Sequence, residues 1–197
     1  DKVKKGTKVS NLYSNYSDKI INIGLTPNRS DAMSHAGVAR DLRAALMHKG
    51  LKSELITPSV SSFYVNSRTQ KVTVSVEDSK LCPRFMGVCI ENISVGDSPT
   101  WLQNKLKSIG LSPLNNVVDI TNYVLHEIGQ PLHAYDLDKI SSKSVHVKTL
   151  KDKTKFITLD GESRELNKSD LMICDKDSPK SIAGVFGGIN NGISNEP

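Results

Sequence analysis

The sequence predicts an α+β chain in which a short helical segment precedes a sheet or sandwich that carries helices near its start. Apolar residues recur at helical spacing in three places before residue 130, whereas after Pro131 the pattern changes to short alternating runs. At 197 residues the chain can bury a sizeable core, and one larger or two smaller domains are both possible.

The composition is that of an ordinary globular chain, with 37% hydrophobic and 24% charged residues. No apolar run approaches bilayer length and no signal-peptide pattern opens the chain, so we expect no membrane contact. The three cysteines are far apart and lack a C-x-x-C spacing, which favours a reducing cytoplasm over a disulfide framework or a zinc site. A net charge of +5 is compatible with a polyanionic partner, although a solvated lysine-rich surface explains it equally well.

The first 70 residues contain one strand pattern, one helix pattern and a linker. The apolar run at residues 20–23 predicts a short strand. Capping-type residues followed by alanines and leucines at helical spacing predict a helix over residues 26–50. Residues 51–70 are rich in Ser, Thr and Asn, which is typical of a linker between units.

Two strands and two helices are predicted next. Alternating valines at residues 72–76 indicate a half-buried strand, and residues 85–95 indicate a second strand. Ser98, as a cap, and Pro99, in the first turn, predict the start of a helix that ends before residue 110. A further helix is expected over residues 115–128, because its apolar residues share one side and a glycine follows it.

The remainder of the chain predicts a sheet. Asp160-Gly161 is typical of a tight turn, and such a turn between alternating runs favours a hairpin. The expected strands cover residues 144–150, 155–159, 171–174 and 181–186.

The first candidate for chemistry is the segment 122–136, in which a helix delivers Asn122 and a proline-containing loop presents His133. An imidazole donates or accepts at neutral pH, and the amide of Asn122 does both, so the pair could orient a water or a ribose hydroxyl. From spacing alone, a structural histidine that hydrogen-bonds the backbone and holds its loop is favoured over a catalytic one.

The second candidate is the run 182–188, where a strand enters glycines. Without side chains, backbone N–H groups there could hold an oxyanion or a carbonyl. The run matches no phosphate-binding glycine motif, and a turn that needs positive φ explains it better on pattern alone.

The third candidate is the turn 26–31, whose Arg29 could contact phosphate and whose Asp31 could cap the helix; capping is the better interpretation. We expect no metal site, because the remaining acidic residues lack a ligand spacing and lie on differently oriented elements. Those acidic residues are Asp119, Glu127, Asp136 and Asp138.

Seven strings together resemble the bacterial phenylalanyl-tRNA synthetase β-subunit family along essentially the whole chain. The longest is N-N-V-V-D-I-T-N-Y-V-L-H-E-I-G-Q-P-L-H-A-Y-D-L-D at residues 115–138. The others are T-P-N-R-S-D at 26–31, G-V-A-R-D-L at 37–42, C-P-R-F at 82–85, S-P-T-W-L at 98–102, T-L-D-G at 158–161 and I-A-G-V-F-G-G at 182–188.

The resemblance implies a domain order. Residues 1–25 would be the tail of a tRNA-binding oligonucleotide-binding-fold domain, and residues 26–70 a helical domain segment and linker. Residues 71–197 would form an editing module with a β-sandwich-like core and inserted helices. The chain has no initiator Met and ends in mid-motif at residues 195–197, so we interpret it as an excised piece, with a further acidic pocket residue expected downstream.

The implied function is hydrolysis of tyrosine mischarged onto tRNA(Phe), within a cytoplasmic phenylalanine–tRNA ligase. His133 and Asn122 would be its catalytic residues, and Phe186, Gly187 and Gly188 would contact the aminoacyl group. The synthetase α subunit would complete an α2β2 assembly, while ATP and Mg²⁺ would act elsewhere in the complete synthetase, with no cofactor in this fragment. The alternative is a non-catalytic module for tRNA docking or subunit assembly.

Overall fold

The fold is seen in a computed structural model that describes residues 3–12, 16–189 and 191–193. The predicted chain end at residues 195–197 lies outside them. The described residues form three α-helices, a mixed five-stranded sheet and a two-stranded hairpin, which confirms the α+β class. None of the described helices is long and apolar enough to cross a bilayer.

The first helix, α1, spans His35–His48 and therefore begins nine residues later than predicted. Its cap is Ser34, whose hydroxyl accepts a hydrogen bond from the Gly37 N–H at 3.0 Å. The preceding residues Ser30–Ala32 form a 3₁₀ turn that folds closely onto the helix. A Cβ on Gly37 would lie 2.7 Å from the Ala32 Cα, so only glycine fits this approach.

The next two helices, α2 (Thr100–Ser108) and α3 (Asn116–Ile128), pack against each other. The prediction for α3 is confirmed: Asn115 Oδ1 accepts from the Val118 N–H at 2.9 Å, and Gly129 ends the helix at φ +77°. The prediction of Ser98 as the cap of α2 is wrong, because its hydroxyl donates to the buried carboxylate of Asp119. The Asp119 side chain therefore links the segment before α2 to the first turn of α3.

The described residues contain seven strands, namely β1 (Thr73–Val76), β2 (Ser144–Thr149), β3 (Lys155–Ile157), β4 (Ser163–Glu165), β5 (Leu171–Cys174), β6 (Pro179–Ile182) and β7 (Phe186–Gly187). The main sheet has the strand order β1-β2-β5-β6-β7, with β1 parallel to β2 and the other pairs antiparallel. Strands β3 and β4 form the separate hairpin across the predicted Asp160-Gly161 turn, where Gly161 has φ +81°.

The core cluster joins the hairpin to one face of the main sheet. Phe156 and Leu166 from the hairpin region pack with Met172 and Cys174 of β5, and all four are almost fully buried. Burial raises the pKa of the Cys174 thiol to about 11, so this cysteine is an apolar core residue rather than a reactive thiolate.

A buried ion pair fixes the turn between β5 and β6. Lys180 Nζ lies 2.9 Å from Asp175 Oδ2, and the Asp175 side chain is 2% exposed. The same carboxylate accepts from the backbone N–H groups of Ser141, Asp177 and Ser178 at 2.7–3.0 Å. Burial by itself would raise the pKa of Asp175, but the Lys180 ammonium and these donors lower it below the ordinary carboxyl range.

Two predicted strands are wrong. Among the described residues, neither segment 20–23 nor segment 85–95 pairs with another strand. Their apolar side chains are solvent-exposed, for example Ile21 at 78% and Ile90 at 72%. An alternating pattern supplies only one side of a ladder, and backbone pairing needs a neighbouring strand that these segments lack here.

Candidate functional site

Gly187, in the edge strand β7, lies against the loop that carries His133. In the β6–β7 pair Ser181 lies opposite Gly187, and the turn between the strands contains Gly184 at φ +72°. A Cβ on Gly187 would lie 2.8 Å from His133 Cε1 and 2.8 Å from Leu159 Cδ1. The glycine is therefore required by the close approach of two side chains rather than by its backbone conformation.

His133 is exposed as a residue, yet its ring is partly removed from water by its neighbours. The ring centroid lies 4.4 Å from that of Tyr135, with the planes inclined at 54°. Partial burial lowers the pKa of His133 below its ordinary value, so the imidazole is neutral at physiological pH. Neither ring nitrogen has a hydrogen-bond partner among the described residues. The backbone hydrogen bond by which a structural histidine was expected to hold its loop is therefore not seen there.

The hydrogen bonding of His146, in β2, differs from that of His133. Its Nδ1 lies 2.7 Å from Ser75 Oγ, and its Nε2 lies 3.1 Å from Ser144 Oγ. Both nitrogens of that imidazole are thus committed to protein hydroxyls. By comparison, the nitrogens of His133 are available to a water molecule or a substrate group.

Tyr135 and Ser181 complete the cluster around His133. The Tyr135 hydroxyl and the Ser181 hydroxyl are hydrogen-bonded, and Ser181 is 4% exposed. Burial raises the pKa of Tyr135, so its phenol stays protonated at neutral pH. Tyr135, Ser181 and Leu159 were not among the residues predicted for the site. Tyr135 lies two residues after His133 in the sequence, and this nearness was the one available signal; Ser181 offered none.

Gly188 has a structural role. A Cβ there would lie 2.7 Å from Phe156 Cζ and 2.9 Å from the Lys180 carbonyl oxygen. Its N–H donates to that same Lys180 oxygen at 2.8 Å, and it forms a bridge with Thr158 of the hairpin region. Because this N–H is already committed, the expectation that it could hold an oxyanion is wrong for Gly188.

Replacement of Gly188 by alanine should destabilise the fold by about 1–3 kcal/mol, since the added methyl overlaps a backbone oxygen and a core ring. Urea unfolding of the variant measures this loss. Gly87→Ala is the control, because a Cβ at Gly87 meets nothing within 4 Å. Equal midpoints for the two variants would contradict the packing assigned to Gly188.

Phe186 and Asn122 are not brought into the His133 cluster by any contact seen among the described residues. Successive strand residues point to opposite faces, so Phe186 lies on the face opposite to Gly187. Asn122 is half-buried on α3, which packs chiefly against α1 and α2, and its side chain makes no hydrogen bond to the described residues. Their places in a pocket therefore stay predictions.

The turn at residues 26–31 is occupied by ion pairs. Arg29 Nε lies 3.0 Å from Asp31 Oδ1, and the same guanidinium also contacts Asp41. The hydrogen bonds that the guanidinium donates to the carboxylates of Asp31 and Asp41 raise the pKa of Arg29 further above its ordinary value. Arg29 thus fastens the turn to α1, which supports a structural role, although Ser34 rather than Asp31 caps the helix.

Two open depressions of the surface lie away from His133. One of about 460 Å³ is lined by Arg43, Met47 and Leu51 at the end of α1, and another of about 70 Å³ lies beside Asp175. His133 and Gly187 line neither of them. In the part of the chain that the structure describes, no three His, Cys, Asp or Glu side chains are grouped as metal ligands.

Residues 81–196 match the model of the B3/4 domain family, so the chain belongs to that family. Its relatives are larger proteins named phenylalanine–tRNA ligase beta subunit, which confirms the resemblance seen in the sequence. The subunit of Bacteroides fragilis is 51% identical over 187 residues, which are 95% of this chain and 23% of the relative.

The corresponding subunit of Porphyromonas gingivalis is 50% identical over 192 residues, covering 96% of this chain and 23% of the relative. That of Salinibacter ruber is 46% identical over 178 residues, covering 90% of this chain and 21% of the relative. This chain thus spans less than a quarter of the length of these relatives.

Proposed function

We propose that this chain is the part of a phenylalanine–tRNA ligase β subunit that hydrolyses tyrosyl-tRNA(Phe). The observation that carries the proposal is the imidazole of His133, which lies against Gly187 and makes no hydrogen bond to any described residue. The B3/4 domain match and the names of the relatives support the protein class.

The chemistry required is attack of water on the ester between tyrosine and the terminal ribose of the tRNA. A neutral imidazole can orient the water or a ribose hydroxyl, and it can accept a proton during the attack. Gly187 would form a wall beside the aminoacyl group, because any larger residue would collide with His133 and Leu159. Asn122 would supply the second polar contact.

Selection among amino acids explains why such hydrolysis is useful. Tyrosine differs from phenylalanine by one hydroxyl, and an apolar pocket rejects an isostere with an added hydroxyl by only about 10²-fold. A second site that hydrolyses the wrong ester raises the accuracy of charging.

The decisive measurement is release of tyrosine from tyrosyl-tRNA(Phe) by the complete α and β assembly. Phenylalanyl-tRNA(Phe) serves as the matched substrate, since it differs by the tyrosine hydroxyl alone. We expect tyrosine to be released faster than phenylalanine. Equal rates for the two esters, or rates no higher than those without enzyme, would contradict the proposal.

The complete protein is proposed to be a cytoplasmic α2β2 enzyme that acts on tRNA(Phe). Residues 1–25 would belong to a tRNA-binding domain, residues 26–70 to a helical segment and linker, and residues 71–197 to the editing module. ATP and Mg²⁺ would serve amino-acid activation at a site elsewhere in that enzyme.

A second candidate function is tRNA docking or subunit assembly without catalysis. Exposed apolar side chains on α2 and α3 favour it, notably Trp101 at 57% and Ile120 at 53%. Loss of tRNA binding or of α-subunit assembly in Trp101→Ala, with tyrosine release per bound tRNA unchanged, is the result that this function predicts.

The pH dependence of hydrolysis follows from the lowered pKa of His133. The neutral ring is the active form, so turnover is present above the pKa and is lost as the pH falls through it. Because burial lowers this pKa, the acid limb of kcat/KM should lie below the ordinary histidine value of about 6.5. An acid limb above that value in a pH–rate profile would contradict the assigned environment.

A further inference from the structure

We infer that Tyr135 is the positioning residue for His133, and that Ser181 anchors Tyr135 to the sheet. This inference rests on the proposed function, because it assigns a residue that acts through the proposed catalytic histidine. His133 and the glycines were predicted from the sequence as site residues, whereas Tyr135 and Ser181 were not.

The first supporting observation is the isolation of the His133 ring within its loop. Residues 130–136 form neither helix nor strand, and no hydrogen bond to described residues restrains the imidazole. Its orientation is therefore set by packing alone. The imidazole packs against the Tyr135 ring, at a centroid distance of 4.4 Å, and approaches Gly187 closely.

The second observation is the rigidity of the anchor. Ser181 lies in β6, which pairs with β5 on one side and β7 on the other, and its register partners are Ile173 and Gly187. A buried hydroxyl on such a strand has a well-defined position. Its hydrogen bond to the Tyr135 hydroxyl transfers that position to the aromatic ring beneath His133.

The third observation is that Ser181 and Gly187 are opposite each other in the β6–β7 pair. Directly opposed residues of an antiparallel pair present their side chains on the same face. Tyr135 therefore sits over Ser181 and His133 over Gly187, side by side. Ser181 hydrogen-bonds Tyr135, and the Tyr135 ring packs against one side of the His133 imidazole. Because Gly187 has no side chain, the Cε1 edge of the imidazole fits against it.

The test uses the complete α and β assembly with tyrosyl-tRNA(Phe), and it compares Tyr135→Leu, Tyr135→Phe and Ser181→Ala. Loss of the ring in Tyr135→Leu should lower kcat by about 10- to 100-fold, the range expected for a misplaced catalytic group, while KM stays within twofold of wild type. Tyr135→Phe keeps the ring and should therefore be more active than Tyr135→Leu, although less active than wild type. Ser181→Ala and Tyr135→Phe, which each remove the anchor, should each lose about fivefold.

A pH profile separates positioning from a general loss of structure. Tyr135→Leu uncovers one side of the imidazole, so its acid limb should move upward towards the ordinary histidine pKa, whereas Tyr135→Phe should retain the wild-type limb. Tyr123→Phe is the matched control, because its hydroxyl donates to Glu127 on the same helix at 3.3 Å and makes no hydrogen bond to the His133 cluster among the described residues. It should behave as wild type.

Different results would overturn the role of Tyr135 and the proposed hydrolysis. If His133→Ala lowers hydrolysis but Tyr135→Leu leaves both kcat and the pH profile unchanged, the inference is overturned and the proposed function stands. If the wild-type assembly releases no tyrosine, the proposed function is overturned and the inference falls with it. A Tyr135→Leu variant that does not fold leaves the decision to Tyr135→Phe and Ser181→Ala, whose unchanged rates would overturn the inference.

Discussion

Replacement of His133 by alanine should slow tyrosine release from tyrosyl-tRNA(Phe) by about 10²- to 10⁴-fold, the usual contribution of a positioned acid or base. The imidazole contacts Gly187 and Tyr135, and it makes no hydrogen bond to any residue that the structure describes. Single-turnover release of labelled tyrosine measures the effect directly. The stability of the fold should change little, because the residue is exposed overall.

His48→Ala is the matched control, since it removes an exposed histidine at the end of α1. This variant should hydrolyse tyrosyl-tRNA(Phe) at the wild-type rate. His133→Gln adds a test of chemistry against shape, because an amide hydrogen-bonds but does not take a proton at neutral pH. Wild-type release by His133→Ala would remove this residue from the mechanism.

Replacement of Asp175 by alanine should lower the free energy of unfolding by about 3–5 kcal/mol, the typical cost of leaving one partner of a buried ion pair alone. The change strands the Lys180 ammonium, whose side chain is 10% exposed, and three backbone donors lose their acceptor. Chemical denaturation followed by circular dichroism measures the loss.

Two further variants identify the cause of that loss. Asp175→Asn keeps an acceptor for the backbone donors but removes the charge, so it should fall between wild type and Asp175→Ala. Asp18→Ala breaks the exposed pair with Lys105, at 3.0 Å, and should have little effect because solvent screens it. A small loss for Asp175→Ala, comparable to that of Asp18→Ala, would contradict the buried pair.

The same carboxylate gives the fold a pH dependence with a definite sign. Because the pKa of Asp175 is lowered in the folded state, its stabilisation is present above the unfolded carboxyl pKa of about 3.9. It is lost as the pH falls below that value. Wild type should therefore lose stability on acidification, and Asp175→Asn should lose less.

Local signals were sufficient for α3 and for the Asp160-Gly161 turn. Asn115 and Gly129 mark the ends of α3 by short-range hydrogen bonding and backbone conformation, and these depend on neighbouring residues alone. The turn is equally local, because it joins β3 and β4 through a glycine in the left-handed region. The sequence did not predict β4, and the strand predicted over residues 181–186 is divided by a turn between β6 and β7.

Long-range contacts decided the elements that were predicted incorrectly. The start of α1 lies at His35, after the Ser34 cap, and the preceding turn is tied to the helix by the pair of Arg29 with Asp41, twelve residues away. The Ser98 hydroxyl donates a hydrogen bond to Asp119 of α3 and does not cap α2 as predicted. The alternating run at residues 85–95 has strand character but no partner among the described residues.

By itself the sequence determined the α+β class, both ends of α3, the Asp160-Gly161 turn and, through its motifs, the family. The same motifs singled out His133, Gly187 and Gly188. Tertiary structure alone decided how those residues differ: Gly188 supports the hairpin, whereas Gly187 faces His133. It also introduced Tyr135 and Ser181, whose hydroxyls meet across 46 positions of chain. Caps and turns depend on neighbours in the chain, but a supported imidazole depends on which strands pair, and spacing does not encode that pairing.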